Sequence, residues 1–408
     1  MDPALALETA FKGKHRNIEE ALLRGDSDVA KLYDDATIFI TGGSGFLGKQ
    51  LIEKLIRSCN VRKLYVLLRP KKEYSSEMRL NDILMDPLYD PLKKQQPNFM
   101  HKIKPIDGDV TELRMGLSED DWKTITEEVN VIFHMAATVN FQEEVRCAII
   151  TNVRGTREII TLARACRQLK SMVHVSTAFA HATKNRIKKA VHEDFYEASI
   201  APEDMIALAE NNEVEYFNDF FKKHGSDWPN TYTFTKAVAE ETVRTMAADL
   251  PVCVVRPAAV IGAYREPSPG WIDTNQVLSA SGIILGVMLG VIHVLLSDMN
   301  NRMDFVPVDI VTNALLAAGW DTARTHGQSD RRTQIYTVTN TRNPLLFRFL
   351  YRILDTRVRK INTPKVLWYG FTIVTANKFV YMTLHWFLHH IPAIIVDSAL
   401  YIMGRKPR

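Results

Sequence analysis

The sequence has few cysteines, and none is placed as a metal site or a disulfide framework requires. The four cysteines of the 408-residue chain are scattered, at Cys59, Cys147, Cys166 and Cys253. Structural zinc sites and small disulfide-stabilised domains both use cysteines at short, repeated spacings. The sequence therefore predicts no metal site and a compartment in which thiols stay reduced.

A strong charge of one sign is absent too, and so is a secretory signal at the start of the chain. The 51 Lys and Arg residues against 47 Asp and Glu give a net charge of +4, too small to indicate nucleic-acid binding. Asp2 and Glu8 are acidic and no apolar core follows them, unlike in a signal peptide. With 46% hydrophobic and 24% charged residues, the composition predicts a globular protein with one large domain and an appendage.

The most informative stretch is 36–69, whose pattern predicts a strand, a glycine turn, a helix and a second strand. Gly42, Gly45 and Gly48 repeat every three residues, which suits a tight turn, close approach to a pyrophosphate and close helix packing. The helix N-terminus then points free N–H groups at the phosphates. An ordinary tight turn is the alternative. The residues expected to contact the dinucleotide are Thr41, Gly42, Gly43, Ser44, Gly45, Phe46, Leu47 and Gly48.

The end of the second strand indicates which dinucleotide this turn binds. An NAD site places an acidic residue there to accept from the ribose 2′-hydroxyl. This chain has Arg69, followed by Lys71 and Lys72, and such a basic cluster would bind a 2′-phosphate. A solvated positive loop is the alternative. We therefore expect NADPH as the cofactor, with Arg69 and Lys71 as its phosphate contacts.

Further apolar strands at 129–134, 173–178 and 252–256 predict a doubly wound parallel sheet in an α/β fold. Ligands of such sheets bind at the carboxyl ends of the strands. Small residues there let the backbone pass close to a ribose or a nicotinamide phosphate, and hydroxyl groups can contact a substrate. The residues expected at this edge are Ala136, Ala137, Ser176, Thr177 and Pro257.

Tyr232 and Lys236 are the strongest candidates for catalysis. Residues four apart share one face of a helix, so both side chains can address one cofactor. We expect the ammonium of Lys236 to lower the pKa of the phenol and to bind the nicotinamide ribose. The phenol of Tyr232 would then donate a proton to a developing oxyanion, with Thr177 and Ser176 steadying it.

These motifs together resemble the alcohol-forming fatty acyl-CoA reductases, and the insect-type members most. The runs that carry the resemblance are Thr-Gly-Gly-Ser-Gly-Phe-Leu-Gly-Lys, Val-Leu-Leu-Arg-Pro-Lys-Lys, Gly-Asp-Val, His-Met-Ala-Ala-Thr-Val-Asn-Phe, His-Val-Ser-Thr-Ala, Tyr-Thr-Phe-Thr-Lys and Arg-Pro-Ala-Ala-Val-Ile-Gly. This family lies within the extended short-chain dehydrogenase/reductase superfamily, whose fold is Rossmann-like. The resemblance extends over nearly the whole chain from Asp35 onward.

The resemblance also implies roles for Asp109 and Asn152, and it makes Val110 a further cofactor contact. Asp109, followed by Val110, would hold the adenine amino group, unless Asp109 only shapes a turn. Asn152 would kink its helix and seat a water molecule in a proton relay, unless it faces solvent. The implied reaction is reduction of a long-chain fatty acyl-CoA to a primary alcohol by NADPH, with release of CoA.

Two other functions stay open on the sequence. A membrane-associated steroid dehydrogenase, or a sugar-nucleotide epimerase or dehydratase of the same superfamily, would carry the same catalytic residues. A non-enzymatic NADP-sensing scaffold belongs to another class, but we would expect it to have lost the pair Tyr232 and Lys236.

The resemblance predicts three segments. Residues 1–34 are an N-terminal extension, 35–345 the NADP-binding reductase domain, and 346–408 a truncated C-terminal helical module of the family. The family's chains normally continue beyond this point, so a shortened isoform or a fragment is expected.

Two apolar segments predict contact with a lipid surface. Residues 274–297 contain no charged residue. They could form a membrane span, a helix lying in the membrane interface, or an apolar helix that lines the substrate-binding part of the domain and contacts an acyl chain. Residues 366–404 carry two charges and predict a membrane-apposed hairpin or a marginal span, with a core helix as the alternative. We expect the protein at the cytosolic face of the endoplasmic reticulum or peroxisome membrane.

Overall fold

Thirteen strands are found in the part of the chain that this computed structural model describes, which is residues 27–70, 74–187, 189–198, 200–274, 279–328, 332–358 and 366–404. They are β1 (Thr37–Thr41), β2 (Lys63–Leu68), β3 (Ile103–Asp107), β4 (Val131–His134), β5 (Ser171–Val175), β6 (Val252–Pro257), β7 (Ala259–Ile261), β8 (Val294–Leu296), β9 (Arg302–Met303), β10 (Phe305–Pro307), β11 (Gln334–Val338), β12 (Leu345–Leu346) and β13 (Ile373–Thr375).

The α-helices in the same residues are α1 (Asp28–Tyr33), α2 (Phe46–Ser58), α3 (Ser76–Leu84), α4 (Asp90–Gln95), α5 (Glu119–Glu128), α6 (Val145–Ala148), α7 (Gly155–Ala165), α8 (Pro202–Asn211), α9 (Val214–His224), α10 (Thr231–Met246), α11 (Ser279–Met288), α12 (Val308–Thr325), α13 (Phe347–Val358), α14 (Lys378–His385) and α15 (Ile391–Ile402). A π-helical turn, Ile149–Arg154, joins α6 to α7, and a second one, Trp386–His390, joins α14 to α15.

The central sheet has seven parallel strands in the order β11-β6-β5-β4-β1-β2-β3. The chain builds β1, β2 and β3 to one side and then returns to place β4 on the other side of β1. This reversal puts the turn after β1 beside the loop after β4, which is where doubly wound folds bind ligands. The predicted Rossmann-like α/β fold is confirmed.

Each face of the sheet has its own apolar core because successive strand side chains point to opposite faces. Ile38 and Ile40 of β1 pack with α2 and α12, whereas Phe39 between them packs with α7. These strand residues are fully buried, which explains why the strands read as continuous apolar runs rather than alternating ones.

Helices α8 and α9 lie in the insert between β5 and α10. Met205 of α8 and Phe217 of α9 pack against Phe234 and Val238 of α10. Phe234 and Val238 lie on the side of α10 opposite to Tyr232 and Lys236, given a rotation of about 100° per residue. The insert therefore supports the outer side of this helix.

The described residues of the apolar segment 274–297, which are 274 and 279–297, do not form a membrane span. Its described residues form α11, which has 10 residues, and then the strand β8. A helix of that length is about 15 Å long, half of the hydrocarbon thickness of a bilayer. Val287 of α11 packs on Leu354 of α13, so one side of this apolar helix is covered by the protein itself.

The tail forms one continuous helix of 25 residues, Lys378–Ile402, which is long and apolar enough to cross a membrane. None of its most apolar stretch is buried within the described residues, unlike the usual core helix. The predicted hairpin is wrong, because the π-helical turn continues the helix where the chain would have reversed.

Candidate active site

The glycine turn after β1 leaves no room for side chains. Gly42 has a φ of +74°, and a Cβ there would lie 2.7 Å from the backbone nitrogen of Ala136. A Cβ on Gly48 would lie 2.2 Å from the carbonyl oxygen of Gly42. Gly45 is the N-cap of the 13-residue α2, so the first N–H groups of that helix have no side-chain cap. This geometry suits the close approach of a pyrophosphate, and the predicted contacts of the turn with it stay a prediction.

The side chain of Thr41 connects two loops of the site. Its buried hydroxyl accepts hydrogen bonds from the backbone N–H groups of Met135 and Ala136, each at 3.2 Å, and lies 2.8 Å from Nδ1 of His134. The Thr41 side chain thus ties the glycine turn to the loop after β4. The predicted contact of Thr41 with the dinucleotide stays a prediction, and the hydroxyl of Thr41 is already occupied by these bonds.

The other predicted dinucleotide contacts divide between surface and core. Phe46 stacks on Trp271 at 5.2 Å, which forms a wall beside the turn. Val110 is buried against Gly155, so only its backbone borders the site. The remaining predicted contacts that lie along the same edge are Gly43, Ser44, Leu47, Ala136, Ala137 and Pro257.

Arg69 lies at the end of β2, where the sequence placed the cofactor phosphate. Its side chain is 65% exposed, and Nη1 lies 3.4 Å from Oδ2 of Asp109. Asp109 also shapes a turn, because its other carboxylate oxygen accepts from the N–H of Thr111 at 3.0 Å. Lys71 and Lys72 lie outside the described residues. Arg69 and Asp109 thus form a polar corner beyond the glycine turn.

Asn152 lies in the π-helical turn and is buried, so the solvent-facing alternative is wrong. Its Oδ1 accepts from the N–H of Thr138 at 2.9 Å, and its Nδ2 donates to the hydroxyl of Thr235 at 2.9 Å. Thr138 belongs to the loop after β4 and Thr235 to α10. Asn152 therefore joins the two elements that flank the predicted site.

Tyr232 and Lys236 lie on one face of α10 beside the end of β5, as predicted. The hydroxyl of Thr177 lies close enough to the phenol of Tyr232 to lower its pKa. Nζ of Lys236 donates to the carbonyl oxygen of Val175 at 2.8 Å. The ring of Phe141 lies 5.8 Å from that of Tyr232. The phenol, the ammonium and the Thr177 hydroxyl are thus brought together at the carboxyl edge of the sheet.

Burial dominates the protonation of this pair. It raises the pKa of Tyr232 to about 12, and the nearby hydroxyl of Thr177 opposes that rise. Burial lowers the pKa of Lys236 to about 8, and the charge of Glu240 opposes that fall. The predicted lowering of the phenol pKa by Lys236 is therefore not seen in the protein alone. At neutral pH the phenol holds its proton, as a proton donor must.

Ser176 faces away from the phenol. Its hydroxyl donates to Oε1 of Glu240, which also accepts from Nε of Arg256 at 3.0 Å. Oε2 of Glu240 accepts from Nη2 of Arg256 at 2.6 Å and lies 2.8 Å from Nε2 of His181. Ser176 thus belongs to a buried ionic cluster, and the oxyanion contact of Thr177 stays a prediction.

Sequence reasoning missed Glu240, although the chain contains a signal for it. Glu240 follows Lys236 by four residues, as Lys236 follows Tyr232, so all three lie on the same side of α10. Glu240 lies on the same helix face as this pair but further into the core. A buried carboxylate needs a cation as its partner. Arg256, on β6, is that partner.

Comparison with known proteins gives the family. The model of the family described as male sterility protein, an NAD-binding domain, matches residues 40–315. The chain is 38% identical to fatty acyl-CoA reductase wat of Drosophila melanogaster, over 95% of this chain and 73% of that protein. It is 35% identical to fatty acyl-CoA reductase 1 of Rattus norvegicus, over 93% and 72%. The chain belongs to the fatty acyl-CoA reductase family.

Solved structures agree with this family's reductase fold. The terminal R domain of the myxalamid PKS-NRPS pathway superposes with a TM-score of 0.56 at 23% identity, over 88% of this chain and 78% of that one. The reductase domain of a nonribosomal peptide synthetase from Mycobacterium tuberculosis gives a TM-score of 0.56 at 18% identity, over 89% and 80%. At these identities the likeness concerns the fold.

Proposed function

We propose that this member of the fatty acyl-CoA reductase family reduces long-chain fatty acyl-CoA to the primary alcohol with NADPH and releases CoA. The observation that carries the proposal is the Tyr232 phenol, one helical turn from Lys236 on α10, where Lys236 is bonded to the last residue of β5. The names of the relatives at 32–38% identity support the substrate class. The expected active form is an NADP-dependent oxidoreductase.

The residues at the glycine turn fit a dinucleotide. Gly42, Gly45 and Gly48 provide close backbone approach, and the uncapped start of α2 attracts phosphate. When bound, the nicotinamide supplies hydride. Lys236 would hold the nicotinamide ribose with the N–H groups that its bond to the carbonyl oxygen of Val175 does not use.

The protein's own chemistry is proton transfer and orientation. In the first reduction, the carbonyl carbon of the thioester gains hydride and its oxygen gains a proton from Tyr232. The C–S bond then breaks, the sulfur leaves as the thiol of CoA, and an aldehyde remains. In the second reduction, the aldehyde gains hydride and a proton from Tyr232 to become the alcohol. Thr177 holds the phenol in position for both steps.

Preference for NADPH over NADH is proposed from Arg69. A guanidinium that is 65% exposed at the end of β2 can turn from Asp109 to a ribose 2′-phosphate at little cost, because an exposed ion pair is weak. The Asp109 carboxylate would then be free to accept from the adenine amino group.

The domain division and the membrane location are proposed together. Residues 35–345 would form the reductase domain, and 346–408 the C-terminal module whose helix Lys378–Ile402 holds the protein at a membrane. The exposed aromatic residues of the tail, Trp368, Tyr369, Trp386 and Tyr401, suit the headgroup boundary. NADPH as cofactor places the reductase domain on the cytosolic side, at the endoplasmic reticulum or the peroxisome.

Assay of the detergent-purified chain with palmitoyl-CoA and NADPH tests this proposal. Gas chromatography should show hexadecanol, together with free CoA. A product that stops at hexadecanal would contradict alcohol formation, and the absence of any palmitoyl-CoA consumption would contradict the substrate class. Parallel incubations with a steroid and a sugar nucleotide distinguish the two alternatives from the same superfamily.

A further inference from the structure

The end of β5 meets the inner face of α10 through three consecutive residues. The carbonyl of Val175 accepts from Lys236, the hydroxyl of Ser176 donates to Glu240, and the hydroxyl of Thr177 lies near Tyr232 and lowers its pKa. Positions i, i+4 and i+8 of an α-helix lie about 40° apart around its axis, so they form one gently turning stripe. Each residue of that stripe in α10 therefore has its own partner on the strand end.

Glu240 is the residue of this stripe that is held most firmly in place. Its side chain is 1% exposed, and both of its carboxylate oxygens are bonded. Burial alone would raise the pKa of this carboxyl, but His181 and Arg256 lower it below the usual range, so Glu240 stays ionised. A buried carboxylate with this many charge-assisted bonds holds its position more firmly than a neutral side chain would.

The partners of Glu240 come from separate parts of the fold. Ser176 and His181 follow β5, and Arg256 lies on β6. Arg256 also donates to the carbonyl oxygens of His192 and Asp194, each at 2.9 Å, and so fixes the start of the insert. Glu240 thus joins α10 to the strand ends and to the insert at once.

The charges around Lys236 depend on the same carboxylate. Burial, and after it the charge of Lys236, lowers the pKa of His134 on β4 to about 3 and the pKa of His174 on β5 well below its usual value, so both imidazoles are neutral. Arg256 adds a second buried cation that Glu240 neutralises. Glu240 is therefore the carboxylate that offsets the positive charge beside the Tyr232 and Lys236 pair.

We infer that Glu240 is a positioning residue of the reductase, which locks the face of α10 to the end of β5 and supplies a buried negative charge one helical turn from Lys236. This inference rests on the proposed function for its activity readout only. Its action passes through Lys236 and Ser176, and Glu240 does not contact the substrate.

The test compares Glu240→Gln with Glu241→Gln. Glu241 is the next residue of the same helix, and its buried carboxylate is paired with Arg244. Both variants lose one negative charge in the same shape, but only Glu240 faces Lys236. Circular dichroism and thermal unfolding in detergent first establish that each variant is folded.

The decisive readout is the pH dependence of NADPH binding, measured by nucleotide fluorescence. NADPH binding is expected to need the positive charge of Lys236. It should therefore be present below the pKa of Lys236, which is about 8, and be lost as the pH rises through that value. Loss of the Glu240 charge should move that midpoint down by about 1 pH unit or more, while Glu241→Gln keeps it. The turnover of Glu240→Gln at pH 7.5 should fall by about tenfold or more and recover in part at lower pH.

A folded Glu240→Gln variant with an unmoved midpoint would overturn the inference, even if its turnover fell. Should this variant fail to fold, Ser176→Ala removes one contact of Glu240 without removing a charge. Its turnover should fall several-fold with the KM for NADPH unchanged, and native turnover would overturn the inference. If the native chain binds NADPH but forms no alcohol, the proposed function fails and the binding titrations still decide the role of Glu240.

Discussion

Lys236 donates a hydrogen bond to the carbonyl oxygen of Val175 at 2.8 Å, so the ammonium is held at the last residue of β5. The same contact sets the position of the Tyr232 phenol, because both residues lie on one face of α10. Tyr232 then meets Thr177, two residues beyond Val175. The proton donor of the proposed reaction is thus fixed by the strand end that borders the substrate.

Tyr232→Phe should remove catalysis and leave cofactor binding intact. The ring and its contact with Phe141 remain, whereas the transferable proton is lost. We expect turnover to fall by about 1,000-fold, within the usual range for loss of a general acid, and NADPH affinity to stay within about twofold. Tyr216→Phe, on the exposed surface of α9, is the matched control. Near-native alcohol formation by Tyr232→Phe would refute the assignment.

Gly42→Ala should abolish dinucleotide binding because the new Cβ clashes with neighbouring backbone. A control glycine with positive φ separates this clash from backbone strain. Gly42 and Gly327 both have positive φ, at +74° and +85°, but a Cβ on Gly327 meets nothing within 4 Å. Gly327→Ala therefore reports the conformational cost alone, about 1 kcal/mol. Gly42→Ala adds a clash with the backbone of Ala136.

Thermal unfolding and NADPH titration of the two glycine variants give the answer. Gly42→Ala should be the less stable of the two and should lose measurable NADPH binding, while Gly327→Ala keeps native affinity. Equal stability and equal affinity of both variants would show that the turn after β1 is not the close-packed cradle described above.

The sequence was sufficient for the parts of the site that local patterns encode. The glycine turn, the pair Tyr232 and Lys236, and the hydroxyl of Thr177 all follow from spacing and from the end of a strand. The roles of Ser176 and Thr41 could not be read in that way. Neighbouring residues at a strand end can point to different partners, and the choice depends on groups distant in sequence, such as Glu240 for Ser176.

The arrangement of the tail was also beyond local reasoning. Apolar composition in 366–404 suits a hairpin, a span or a core helix equally. Only the exposure of the most apolar stretch of Lys378–Ile402, none of which is buried within the described residues, distinguishes it from a core helix. Likewise, the glycines of α11 gave no sign that the helix ends after Met288, at a turn where Gly290 has a φ of +69°.

Arg69→Gln should shift cofactor preference. Removing the guanidinium should weaken NADPH binding by about tenfold and leave NADH binding nearly unchanged, because only NADPH carries the 2′-phosphate. Arg62→Gln is the control, since Arg62 forms an exposed ion pair with Asp35 at the opposite end of β2. Isothermal titration with both nucleotides checks this. Native protein that binds NADH as tightly as NADPH would contradict the preference.

Charges introduced into the tail helix should release the protein from membranes. Phe387 and Ile395 are 61% and 62% exposed, and glutamate at both positions would have to enter a lipid environment at a cost of several kcal/mol. Met85→Glu is the control, because Met85 is 76% exposed on the reductase domain. Carbonate extraction of cells should leave the native chain and the control in the membrane pellet and the double variant in the supernatant. A native chain that is soluble without detergent would refute membrane attachment.

The most direct test of the central claim is the isotope content of the alcohol. The purified chain is given palmitoyl-CoA and NADPH carrying deuterium at the transferred position, and the product is analysed by gas chromatography with mass spectrometry. If this single chain performs both reductions, the hexadecanol carries two deuterium atoms at its first carbon. Hexadecanol with one deuterium atom or none, or hexadecanal as the final product, would contradict the account.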